Sequence, residues 1–203
     1  MKGGAMFRVN KQLNDMNDWM SRKRKPGDEM PQYAYCLHCE TQQCGKIAEY
    51  IRRNYGLTCF SPQIIQRKWI KGRATEEAHD WLPGYVFLYT DEPINPRFDV
   101  SGIIRCLGNG ELKGTDLSFA GALYQSQGIL RQVSLLQEGD RCVVADPSWQ
   151  GMRGTVIKMD RGRKRCCLEF EFDDVRRTIW VGYEMIKQDE SSLSSPLHNS
   201  EVT

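Results

Sequence analysis

The chain has 203 residues, of which 40% are hydrophobic and 27% charged, and carries a formal net charge of +2. That length holds one or two domains with a packed core, and the near-neutral balance excludes a uniformly cationic nucleic-acid coat while permitting a local basic patch. No stretch approaches the roughly 20 apolar residues of a membrane span, and residues 1–31 lack the apolar segment of a secretory signal, so a cytoplasmic protein with no membrane partner is expected. The eight cysteines then read as reduced thiols.

Residues 1–31 read as a flexible, basic extension. Within it Leu13, Met16 and Met20 share one helical face beside Trp19, and the run Arg22-Lys23-Arg24-Lys25 ends at Pro26-Gly27. Alternation from Tyr33 to Cys39 predicts a strand. Thr41 is the expected cap of a helix over 42–54 that buries Ile47, Ala48, Ile51 and Tyr55 and stops at Gly56. Strands follow over 57–61 and 64–70, broken by Pro62, and the polar stretch 71–80 is a loop or a projecting hairpin.

The run from Leu82 to Tyr89 is the strongest strand signal, entered through the turn Pro83-Gly84. A further strand is expected over 103–107 and a short helix over 119–127, with Phe119, Ala122 and Leu123 inward. This order suggests an α+β fold, a sheet with helices on one face, over residues 32–127.

Residues 128–137 read as a linker. Beyond it, short β-rich runs over 141–145, 154–158, 166–172 and 178–181 are separated by turn residues, which predicts a small β-barrel over 138–187. The Ser-rich tail, 188–203, is expected to be disordered.

Two stretches carry a resemblance. Tyr33-Ala34-Tyr35 at the start of a β-α unit, with Leu82-Pro83-Gly84-Tyr85-Val86-Phe87, resembles the amino-terminal domain of the NusG family of transcription elongation factors. Glu138-Gly139-Asp140-Arg141-Cys142-Val143-Val144 followed by Gly151-Met152-Arg153-Gly154-Thr155-Val156 is similar to that family's KOW motif. Asp116-Leu117-Ser118-Phe119-Ala120 and the run from Ile179 to Ile186 resemble the specialised LoaP antiterminators, while Pro147-Ser148-Trp149 stands where the KOW loop usually carries Gly-Pro-Phe.

The resemblance implies an elongation and antitermination factor, monomeric and without a cofactor. Its amino-terminal domain grips the clamp helices of RNA polymerase through an apolar patch of Tyr33, Leu82, Pro83, Gly84 and Tyr85, and its KOW barrel binds a hairpin in the nascent RNA. Two alternatives follow from the same residues: a general factor whose barrel binds a termination factor or ribosomal protein, and a free-standing RNA-binding KOW module.

The candidate RNA contacts are Lys158, Arg161, Arg163, Lys164 and Arg165 on one turn and Arg176 and Arg177 on the next. Brought close together, the two turns form a phosphate-binding surface. Gly151 and Gly154 are expected where the barrel needs positive φ or a close backbone approach. Lys68, Trp69, Lys71 and Arg73 belong either to an ordinary exposed hairpin or to an arm reaching polymerase or the non-template DNA strand. Cys36, Cys39 and Cys44 have a zinc-like spacing, but the period of a strand puts residues 36 and 39 on opposite faces, so they read as small apolar fillers. No nucleophile–base–orienter set is legible, and catalysis is not expected.

Overall fold

Two strands, β1 (Tyr33–Cys39) and β5 (Tyr85–Thr90), form the centre of the first sheet. Both are apolar on their two faces, the pattern of strands covered from both sides. They are flanked by β2 (Thr58–Phe60) and β6 (Ile103–Glu111) in the order β2-β5-β1-β6. The computed structural model describes residues 29–70 and 73–186. The expected helix near residues 10–20, the polar start of the extension and the Ser-rich tail lie outside the described residues.

Helix α1 (Cys44–Tyr55) packs Ile47, Ala48 and Ile51 on Tyr35, Leu37, Val86 and Leu88. Helix α2 (Gly114–Gln125) packs Phe119, Ala120 and Leu123 on Ala34, Cys36, Phe87 and Tyr89. The helices therefore lie on opposite faces of the sheet, not on one. The doubly apolar strands require this, because a face left open would expose half of their side chains. Tyr89 fixes the second contact by donating its hydroxyl to the Ala120 carbonyl at 2.9 Å.

The entry to α1 differs from the expected cap. Thr41 lies in a 3-10 turn (Thr41–Gln43), and α1 begins without a side-chain cap. Its end is as expected: Gly56 adopts φ +66° and its N–H bonds to the Arg52 carbonyl. Tyr55, the last helical residue, is exposed and meets Phe98 edge-on; Cys44, at i−3 from Ile47, takes the buried place.

The stretch after Lys71 is a hairpin strand. β3 (Gln63–Ile70) pairs antiparallel with β4 (Arg73–Asp80), and β7 (Ile129–Leu130) joins parallel to β3. Residues 128–137 thus hold β7 and most of β8 (Val133–Glu138), with only Arg131 and Gln132 between them. A five-stranded, nearly closed sheet follows in the order β10-β11-β12-β8-β9. It is built from β8, β9 (Arg141–Val144), β10 (Thr155–Asp160), β11 (Arg165–Phe172) and β12 (Val175–Met185).

Between β9 and β10 the chain makes a short helix, α3 (Pro147–Gly151). Asp146 caps it, its carboxylate accepting from the backbone N–H of Ser148 at 3.0 Å and Trp149 at 3.4 Å, with Pro147 just inside. The small sheet does not stand apart. Trp149, Phe170 and Phe172 share one continuous core with Trp81, Tyr85, Phe87 and Phe119. Among the described residues no helix is long and apolar enough to cross a membrane.

Candidate interaction surfaces

The turn into β5 is set by Gly84. Its φ is +93°, its carbonyl accepts the Cys39 N–H at 2.7 Å, and an added Cβ would lie 3.5 Å from the Cys39 carbonyl oxygen. The positive φ favours glycine here, while the Cβ itself would find ordinary van der Waals contact. Pro83 is exposed beside it, whereas Leu82 and Tyr85 are only 2% and 8% exposed.

What covers them is the small sheet. The Tyr85 ring stacks on His38 (5.3 Å between centroids) and meets Phe172 edge-on at 5.4 Å. The Arg177 guanidinium lies 5.2 Å from the Tyr85 ring centre, and its Nη2 donates to the Tyr85 hydroxyl at 2.9 Å. Burial pushes the Tyr85 phenol up from its usual pKa, with the Arg177 charge acting against that rise.

Tyr33 is not part of this cluster. It pairs with Thr90 while Tyr85 pairs with His38, so the two tyrosines stand at opposite ends of the β1–β5 ladder. Tyr33 also packs with the α1 side of the sheet, the face opposite Tyr85. The fold brings Leu82, Gly84 and Tyr85 together and leaves Tyr33 elsewhere.

Aromatic contacts spread outward from Tyr85. Trp81 meets Trp149 at 5.7 Å and Phe170 at 5.3 Å, and Phe119 meets Phe172 at 4.7 Å. Helix α3 approaches α2 so closely that a Cβ on Gly151 would sit 2.7 Å from the Ala122 Cβ. Gly151 is therefore needed for a close approach, which was expected within the barrel and instead joins the two halves of the chain. Positive φ in this loop falls on Arg153, at +54°.

A polar rim edges the contact. The Asp173 N–H donates to Asp116 Oδ1 at 3.2 Å, and Arg105 faces Asp173 at 3.9 Å. Burial raises the Asp116 carboxyl above its ordinary pKa, opposed by the Asp173 N–H. Two buried nitrogens, Arg177 Nε and Trp81 Nε1, have no hydrogen-bond partner among the described residues. Each such group costs about 1–3 kcal/mol.

The cationic residues divide into two places. Lys158, Arg161, Arg163 and Lys164 are exposed around the β10–β11 turn, with Arg165 half-buried at its end. Asp160 organises that turn: its Oδ1 accepts the Arg163 N–H at 3.0 Å and its Oδ2 faces Arg165 Nε at 3.4 Å. The Arg163 N–H, with Arg165, holds the Asp160 carboxyl below its usual pKa.

Arg176 and Arg177 do not join them. They follow the β11–β12 turn, where Asp173 and Asp174 both take positive φ, 56° and 55°, as a two-residue type I′ hairpin requires. Successive turns of an antiparallel meander fall at alternate ends, so the eight residues of β11 separate the two cationic sites. Arg176 is exposed opposite Glu171, and Arg177 is already engaged by Tyr85.

Other expected groups resolve simply. Arg73 is exposed at the start of β4, while the side chains of Lys68 and Trp69, and residue Lys71, lie outside the described residues. Cys36 and Cys39 belong to the cores on opposite faces of the first sheet. Cys44 lies with Cys39, whose hydrogen bond lowers the Cys44 thiol to a pKa of about 7.

The sequence reading did not foresee the covering role of Phe170 and Phe172, or of Trp149, which it noted only as a departure in the loop. It also gave no site role to Trp180, noted only within the run from Ile179 to Ile186; the indole lies 4.9 Å beneath the Arg165 guanidinium. The available signal was periodicity: Cys166, Leu168, Phe170 and Phe172 form an unbroken apolar face on β11. No protein-family model matches the chain.

Proposed function

We propose that the chain is a transcription elongation and antitermination factor of the NusG type. In this reading its first sheet binds the clamp helices of RNA polymerase through the face around Leu82 and Tyr85, and its small KOW-like sheet binds nascent RNA. The observation that carries the reading is the aromatic face itself: Trp81, Leu82, Tyr85, Phe87 and Phe119 form a contiguous apolar surface on the first half of the chain. That surface is covered by the second half, a removable lid of the kind a helix-in-groove partner can displace.

The mechanism follows from competition. Polymerase helices and the small sheet seek the same face, so binding requires the two halves to part. The interface suits that task, since it leaves Arg177 Nε and Trp81 Nε1 without partners among the described residues. The tether between β7 and β8 is only Arg131 and Gln132, which keeps the released sheet at high local concentration. Preferential binding to the closed clamp, rather than tight binding alone, then suppresses pausing and termination.

The small sheet's contribution is charge. Lys158, Arg161, Arg163 and Lys164 remain exposed in the covered state, so RNA can be captured before the polymerase face is freed. This exposed cluster favours RNA over a protein as the barrel's partner. The test is co-purification of the full chain with core RNA polymerase, with excess isolated clamp-helix peptide as competitor. Binding that the peptide abolishes is expected, and absence of binding by both the wild type and an opened variant overturns the reading.

A further inference from the structure

Trp180 lies on the face of the small sheet that does not enter the shared core. Cys167 pairs with Lys158 on one side and Trp180 on the other, so these three side chains form one row across β10, β11 and β12. The intervening residues Cys166, Leu168, Phe170 and Phe172 point the other way, into the aromatic core. Trp180 is half-buried beside the buried Cys167.

Its neighbours are cationic. Arg165 pairs with Gly182, two residues beyond Trp180, and reaches diagonally over the indole, its guanidinium carbon 4.9 Å from the ring centre. Gly182 has no side chain to obstruct that path. Asp160 holds Arg165 Nε, and Arg161, Arg163 and Lys164 stand in the turn just beyond. In the other direction the next row is Thr155, Glu169 and Thr178, which puts one carboxylate behind the ring, and the row after it pairs Glu171 with Arg176. A ring is thus placed at the edge of a cationic field with a carboxylate behind it.

We propose that Trp180, with Arg165 over it, is a stacking platform for an unpaired base of RNA whose phosphates lie on the Arg161–Lys164 turn. This rests on the RNA-binding part of the function proposed above and adds to it the element that separates unpaired from fully paired RNA. Phosphate contacts alone attract both, whereas an aromatic face rewards a base free to leave its stack. Because this face is outside the covered interface, the platform works while the two halves remain together.

The experiment uses the full chain and a single-stranded oligoadenylate carrying one 2-aminopurine, beside a fully paired RNA duplex carrying the same label. Binding of the single strand is expected to quench 2-aminopurine in the wild type. Trp180→Ala is expected to remove the quenching and weaken binding about 5- to 140-fold, the range for loss of one stacked base. Trp180→Phe keeps a ring and retains most of both signals, and the slope of affinity against salt stays at its wild-type value because every phosphate keeps its cationic partner.

Equal affinity of wild type and Trp180→Ala, with Arg163, Lys164 and Arg165 still required, overturns the platform and leaves RNA binding by charge intact. Equal binding of duplex and single strand without quenching in the wild type does the same, independently of any variant. Failure of the wild type to bind either RNA at low salt overturns the RNA-binding reading together with the platform.

Discussion

Replacing Phe172 by alanine should part the two halves of the molecule without unfolding the first. Phe172 is completely buried, and its ring centre lies 4.7 Å from Phe119, 5.2 Å from Phe87 and 5.4 Å from Tyr85. All three neighbours belong to the first sheet or to α2, so the packing removed by the substitution is packing between the halves. Truncating a buried Phe costs about 3–5 kcal/mol. At about 3 kcal/mol the ratio of open to closed molecules rises about 100-fold.

The cysteines report this directly. Cys36 is fully buried on the face that meets α2 and the small sheet, and Cys59 is equally buried on the α1 side. Burial raises both thiols well above their ordinary pKa, so labelling at neutral pH requires opening. Alkylation mapped by peptide mass spectrometry should therefore accelerate about 100-fold at Cys36 in Phe172→Ala, with Cys59 unchanged. Equal acceleration at both sites, or at neither, refutes the argument that Phe172 holds a separable interface.

Gly151→Val places side-chain atoms where even a Cβ would lie 2.7 Å from Ala122; about 1–3 kcal/mol of overpacking is expected, read as a lower thermal midpoint and faster Cys36 labelling. Asp116 is raised by burial, reinforced by the carboxylates of Asp173, Asp174 and Glu171. Its contribution to stability is therefore fully present below the ordinary carboxylate pKa and is lost as pH rises through the raised value. Asp116→Asn should flatten that part of the midpoint–pH profile, and superimposable profiles contradict the assignment. Replacing Arg163, Lys164 and Arg165 together by alanine should weaken RNA binding and lower the slope of log affinity against log salt. On single strands the slope falls by up to about 0.7 for each phosphate that is no longer neutralised. An unchanged slope removes this turn from the RNA site.

Much of the fold was legible because its signals are local. The β1 and β5 runs, the Gly56 stop and the turn residues of the small sheet all act within a few residues of where they stand. The placement of the helices on opposite faces was legible too, in principle, since Tyr35 and Leu37 alternate with Ala34 and Cys36 and all four are apolar. Helix α3 was hidden because Asp146-Pro147 serves equally as a turn or as a cap followed by Pro at the first helical position.

The interaction surfaces were harder to read for a different reason. Tyr85 has the same local sequence whether its ring faces solvent or Phe172, a residue 87 positions later in the chain. The cationic runs were visible as residues, but their separation depends on β11 being a full strand that sends its two turns to opposite ends. Arg177 shows the same limit: its charge suggested phosphate, and tertiary packing gave it to a tyrosine.

Transcription through an intrinsic terminator by purified RNA polymerase tests the central claim most directly, with the chain titrated as wild type and as Phe172→Ala. The account predicts that the chain raises readthrough and that Phe172→Ala reaches the same level at lower concentration, because more of it presents the Tyr85 face. Readthrough unchanged by either form, on templates with and without a leader hairpin, contradicts it.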